Sequence, residues 1–138
     1  MDKLSADEAF ELGNQFRDAA IALGDWRFKN RASLSKVQWD ELDEREITLL
    51  NTASGIYTSA VSLVLAESKV PVARLQFSVE SAKSAIQHIA SFKQVLDLAS
   101  ALVLLAGAIS SGNAASIPAG IVALEDAAEA IFRPDDPV

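Results

Sequence analysis

LQFSVESAKSAIQHIASFKQVLDLASALV, residues 75–103, is the stretch that decides the fold class. Leu75, Val79, Ala82, Ile86, Ile89, Lys93, Leu96, Ser100 and Val103 follow one another in steps of four and three. That spacing holds side chains on one face of an α-helix and is out of phase with a strand. Lys93 and Ser100 interrupt an otherwise heptad-like apolar seam. A second stripe, Ala85, His88, Phe92, Val95, Ala99, Leu102 and Ala106, runs beside it. Two adjacent stripes suit a helix that touches more than one neighbour.

Working outward, Pro71 fits a first-turn position, so the periodicity predicts one long helix from Pro71 to about Ile109. The short link Ser68–Pro71 joins it to a second long helix, from about Lys36 to Glu67, and makes the two antiparallel. Ser35-Lys36-Val37-Gln38 is a capping box at the start of that helix, and Ser5-Ala6-Asp7-Glu8 is another, opening a first helix. This first helix runs from about Ala6 into the Leu23–Arg31 region, with Gly24-Asp25 as a point of weakness or termination. Ser110-Ser111-Gly112-Asn113 reads as a turn, and a last helix covers Ala119–Phe132. Only Trp26–Lys29 alternates with a strand's period, and four residues do not make a strand. The expected fold is all-α: an elongated up-down helical bundle of about four helices, two of them long and central. It forms a single domain, 1–138, with a frayed polar tail at 133–138.

Composition sets the outer limits. Half of the 138 residues are apolar and 22% are charged, which excludes intrinsic disorder. There is no Cys, hence no disulfide framework and no thiolate metal site. Twelve Lys and Arg against nineteen Asp and Glu give a net charge of −7. An acidic balance argues against nucleic acid and anionic lipid as partners, and leaves a basic protein partner open. The first residues lack the cation-then-apolar layout of a secretory leader, so the expected location is cytoplasmic.

The charges are unevenly spread. Residues 1–46 hold 18 of the 31, and segments 47–66 and 98–124 hold none. In 47–66, Thr48, Asn51, Thr52, Ser54, Thr58, Ser59 and Ser62 line one face, which marks a wetted or closely packed surface. In 98–124, Ser110–Asn113 and Pro118 break the run and leave Leu98–Ile109, twelve residues, too short to cross a bilayer. The expected arrangement is two buried helix ends meeting at a turn. The Gly/Ala/Ser-rich composition of Leu98–Leu124 resembles the insertion segments of α-helical pore-forming toxins. That resemblance covers under a quarter of the chain, contains no motif and implies no function. The polar stripe Gln76, Glu80, Lys83, Gln87, Ser91, Gln94 continues, by the same spacing, into Leu98, Ala101, Leu105 and Ala108. A helix whose outer face turns apolar needs cover on that side, so these four residues are interface candidates between copies of the chain, as a homodimer.

Catalytic signals are missing. The single histidine, His88, sits on the apolar second stripe and is expected at the core boundary with one hydrogen-bond partner. One His without Cys cannot build a structural zinc site, and Ala85 stands where a di-iron Glu-x-x-His motif needs Glu. The pairs Asp40 with Glu44 and Glu125 with Glu129 are the remaining carboxylate ideas for Mg²⁺ or Mn²⁺, and both have ordinary helix-surface explanations. No nucleophile elbow, phosphate loop or dinucleotide fingerprint is present. The expectation is no cofactor, no metal and no enzymatic activity.

Two local features suit a partner surface. Trp26-Arg27-Phe28-Lys29-Asn30-Arg31 mixes cations with aromatics, although cations also complement a helix C-terminus. Asp40, Glu41, Asp43 and Glu44, in the early turns of the next helix, sit where the dipole favours anions and are placed to pair with that run. The function expected is protein–protein interaction, with self-association foremost. The alternatives are a membrane-active or membrane-associated protein using 98–124, and an acidic inhibitor or immunity-type protein that binds a basic partner through Asp40–Glu46.

Overall fold

A computed structural model describes residues 6–57 and 60–132, and its regular elements are all helical. Six α-helices follow in order: α1 (Ala6–Lys29), α2 (Lys36–Ser54), α3 (Ala60–Ser68), α4 (Val72–Ala85), α5 (Phe92–Ser111) and α6 (Ile117–Phe132). Among the described residues there is no strand, and Trp26–Lys29 is the end of α1. The all-α expectation is met. The helix number is not, because each of the two long helices expected from periodicity is a pair.

The first break, Gly55–Tyr57, is a 3-10 turn with Ile56 fully buried. Thr52 and Ser54 donate hydroxyl hydrogen bonds back to the carbonyls of Thr48 and Leu50, a pattern that bends helices. The α5 chain also passes close to Gly55, where a Cβ would meet Ser110 Cβ at 3.1 Å.

The second break reverses the chain. Ile86–His88 forms a 3-10 turn, Ile89 turns extended, and Ser91 caps α5 by accepting from the Gln94 amide. The Gln94 side chain accepts in turn from the Ala90 amide. Arg74 and Ser78 of α4 bond to Glu125 of α6, and farther along His88 meets Phe132, so α4 runs parallel to α6. The α5 helix turns back onto α6 through Gly112, which adopts φ 83° and returns the Asn113 amide to the Ala108 carbonyl at 2.9 Å. Hence α4 and α5 run in opposite directions and cannot be one helix.

The remaining neighbours follow from side-chain ties. Arg27 bonds to Glu46 and Tyr57 to Asn14, so α1 and α2 are antiparallel. Arg45 donates to Ser100 and Gly55 lies by Ser110, so α2 and α5 are parallel. Helices α1, α2, α5, α6 and α4 each pack on the next, and α4 returns to α1. Phe16, Leu49, Leu75, Leu102 and Ile121 fill the space inside this circuit, all fully buried. Burying each such side chain contributes roughly 1.5–3 kcal/mol.

At the helix ends, the capping box at Ser35 is complete: its hydroxyl accepts from the Gln38 amide, and the Gln38 side chain accepts from the Ser35 amide. Helix α1 passes through Gly24 without a break, and α6 begins at Ile117, two residues before the expected Ala119. The box expected at Ser5 and the tail 133–138 lie outside the described residues.

Candidate functional site

Two of the expected partner-surface groups do come together, but as a lock. Arg27 on α1 is buried, with 6% of its surface exposed. Its Nε donates to Glu46 Oε2, its Nη2 to Glu46 Oε1 at 3.0 Å, and Asp43 Oδ1 lies 3.3 Å from Nη2. The guanidinium lies 4.2 Å from the Trp39 ring centre and 4.9 Å from that of Phe28. Phe28 meets Trp39 edge-on at 5.1 Å. The Glu46 hydrogen bonds hold the Arg27 pKa above its usual value against the opposing effect of burial, and the charges of Glu46 and Asp43 add to them. Gly24 makes the lock possible, since a Cβ there would stand 2.8 Å from Glu46 Oε1. A bidentate pair with aromatic walls fixes the α1–α2 register. It leaves Arg27 no freedom to meet a partner.

Alongside this lock, α1 and α2 expose a line of large apolar side chains, interrupted on α1 by Asn14 and Arg17. Phe10, Asn14, Arg17, Ile21, Gly24 and Phe28 follow in steps of four and three along α1. Ile47 and Leu50 lie on the facing edge of α2, and Tyr57 follows at its end. Phe10 is 58% exposed, Phe28 60% and Ile47 51%, with Ile21 and Leu50 also exposed. These five make up half of the ten large exposed hydrophobics among the described residues, which concentrates them in one seam. The register is set by Arg27 with Glu46 at one end and Asn14 with Tyr57 at the other, which brings Ile21 level with Leu50. Phe10 packs on the Tyr57 ring at 5.1 Å.

A line of acids borders the seam. Glu11, Asp18 and Asp25 stand seven residues apart on α1, all exposed, and none forms an ion pair among the described residues. Arg17 lies within the seam, and Asp25, at the outer edge of this line, also borders with Lys29 the groove that Trp26 forms with Ile86 and Ile89. On α2, Asp40 and Glu44 are exposed but tied locally, Asp40 to Lys36 and Glu44 to Arg45. Glu41 is half-buried, Trp26 is half-buried toward α4 beside Ile86 and Ile89, and Arg31 reaches over Trp39 at 5.6 Å.

The four expected interface residues lie inside the chain. Leu98 and Leu105 are fully buried, and Ala101 and Ala108 keep 6% and 8% exposure. Helix α5 packs on both α2 and α6, and the Leu105 side chain comes within reach of Gly120. The apparent change from polar to apolar between Gln94 and Leu98 comes from extending the α4 stripe through Ser91, where the chain reverses. The outward line of α5 itself carries Asp97 and Leu104, the latter 69% exposed.

A second groove lies between α4 and α6. Phe77 and Phe132 form its walls and Ala128 its floor. Glu125 there accepts from Arg74 Nη2 at 2.9 Å and from Ser78 Oγ at 3.1 Å. The Arg74 bonds hold its carboxyl below the usual range, against desolvation, with Ser78 helping. His88 is exposed at the end of this groove, 5.5 Å from the Phe132 ring, rather than at the core boundary. Among the described residues no group of three or more His, Asp or Glu is gathered as metal ligands.

Helix α5 spans 20 residues, because it begins at Phe92, before the charge-free run at Leu98, and it is long and apolar enough to cross a membrane, although half of its apolar window is buried. No protein-family model, curated protein or solved structure matches the chain.

Proposed function

We propose that this chain is an up-down helical bundle that acts without catalysis, as a protein–protein interaction module whose docking surface is the outward α1–α2 seam. The observation that carries this reading is the seam itself: five large apolar side chains exposed in register on two helices that are already locked together. Folding does not need them outside, since the interior is filled by other residues. Exposed apolar patches of this kind mark interaction sites. The lock supplies rigidity, so a partner meets a preformed surface and loses less ordering entropy on binding. Self-association stays within this reading, with the seam in place of Leu98, Ala101, Leu105 and Ala108.

A photo-cross-linking side chain at position 47 tests it, with position 104 as the control. Both sites are exposed, but only the first lies on the seam. Adducts formed in the cell at 47 and not at 104 support the seam. Equal adducts at both positions, or none at 47, contradict it. An adduct of twice the chain mass identifies a second copy.

Membrane insertion is a second reading, favoured by the length and apolarity of α5. It requires Leu98, Leu102 and Leu105 to leave the core. Flotation of the chain with liposomes supports that reading, and a chain left at the bottom of the gradient counts against it.

A further inference from the structure

We infer that the partner of the α1–α2 seam is an amphipathic helix of another protein, bearing Lys or Arg along one border of its apolar face. The inference rests on the seam being a docking surface and adds the chemistry of what docks there. Phe10, Ile21 and Phe28 lie on a line stepping by four and three, which is the spacing by which one helix offers side chains to another. From Phe10 to Phe28 the line is about 27 Å long at 1.5 Å per residue, so it matches a helix of about 18 residues. A third helix laid along two antiparallel helices can touch both, and Ile47 and Leu50 stand exposed on the α2 side to meet it.

Charge then selects among helices. Glu11, Asp18 and Asp25 repeat every seventh residue beside that line, exposed and without ion pairs among the described residues. In helix–helix seams the positions flanking the apolar line set partner choice by charge. A second copy would bring the same acids against its own acidic surface, and an anionic membrane would be repelled. Arg17 and Lys29 are the cations nearby and leave the border acidic. A basic border on the incoming helix meets all three carboxylates.

The test uses two synthetic 21-residue helices, identical in a leucine line at steps of four and three, one bordered by Lys and the other by Glu. Anisotropy of the labelled peptides is read against the folded full-length protein. The Lys helix is expected to bind the wild type at least about tenfold tighter than the Glu helix at low salt, with the gap narrowing as salt rises. Glu11→Lys with Asp18→Lys and Asp25→Lys is expected to reverse the preference. Glu67→Lys with Asp97→Lys and Asp126→Lys, equal in charge change but away from the seam, is expected to leave it intact. Equal binding of both helices, no binding of the Lys helix, or the same reversal in both charge variants overturns the inference. Ile21→Gln with Ile47→Gln separates the two levels. If both peptides bind equally and this variant loses both, the docking surface stands and the basic partner falls. If the Lys helix binds this variant as well as it binds the wild type, the docking surface falls too.

Discussion

The α1–α2 and α5–α6 pairs solve the same packing problem in opposite ways. Between α1 and α2 an apolar layer with Leu12, Phe16, Leu42 and Leu49 is edged by polar and aromatic ties: a buried Arg27–Glu46 pair, Trp39 and Phe28 around it, and Tyr57 bonded to Asn14. Their large apolar residues Phe10, Phe28 and Ile47 point outward. Between α5 and α6 no charge is buried, and Leu98, Leu105, Ile121 and Leu124 are fully covered. The α1–α2 pair therefore carries a row of exposed apolar side chains beside its polar lock, whereas α5 and α6 cover most of theirs and leave Leu104 and Val122 outside. A register helped by hydrogen bonds frees some side chains from holding two helices together, whereas a register fixed by burial uses most of them.

The largest effect is expected in the apolar pair. Leu98→Lys with Leu105→Lys puts two charges into a filled core, where neither finds a partner. The chain should lose its cooperative helical signal in circular dichroism. A helical, cooperatively melting double variant would mean that this face is open.

Next comes the polar lock. Glu46→Ala leaves Arg27 buried with only Asp43 at the rim, and is expected to destabilise by about 3 kcal/mol or more in urea unfolding. Arg27→Met with Glu46→Leu should recover most of that loss, because a buried pair can be replaced by apolar groups of similar volume. A double variant as weak as Glu46→Ala would show that the pair stabilises far beyond its geometry.

Two glycines give a smaller contrast of opposite sign. In α5, a Cβ at Gly107 meets nothing within 4 Å, so Gly107→Ala should stabilise by about 0.5–1 kcal/mol. In α1, Gly24→Ala gains the same propensity but drives a methyl to 2.8 Å from the Glu46 carboxylate that Arg27 fixes. Its net effect should be destabilising. Thermal unfolding of the two variants side by side decides the sign.

The smallest effect concerns pH. Glu125 is held below its ordinary value of 4.5 by Arg74, so its bonds stabilise the fold fully above that value, and this contribution fades as pH falls through the lowered one. Glu125→Gln should melt earlier than the wild type near neutrality, with the gap closing at acid pH. A gap that is constant with pH would place the effect elsewhere.

The sequence carried the helical class in its three-four spacing and the start of α2 in Ser35 and Gln38. It carried the reversal before α5 as well. Ser91 and Gln94 repeat the Ser-x-x-Gln pattern of Ser35 and Gln38, and the Ser91 hydroxyl caps α5 as Ser35 caps α2, with the Gln94 side chain reaching back to the Ala90 amide. The apolar period masked this signal, because Ile89, Leu96 and Val103 extend the α4 spacing in sequence, although the face that α5 buries is a different one, with Leu98, Leu102 and Leu105. The interface expected at Leu98–Ala108 followed from reading through that turn. The Arg27 lock was half visible: the basic run and the acids after Ser35 were placed to pair, but Glu46 stood only as the end of the acidic run Asp40–Glu46 and nothing in the spacing marked it as the partner of Arg27. The seam was less legible still. Ile47 and Leu50 fall on a helical stripe as readily as core residues do, and only the fold shows which stripe faces out.

On this reading the seam residues are held outside for something other than folding. Thermal unfolding of Ile21→Gln with Ile47→Gln, followed by circular dichroism, tests this most directly. Both side chains are about half exposed, and glutamine keeps the helical propensity. The expected midpoint lies within about 5 °C of the wild type, as for other surface substitutions. A loss of cooperative unfolding like that expected of Leu98→Lys with Leu105→Lys would show that the seam belongs to the core.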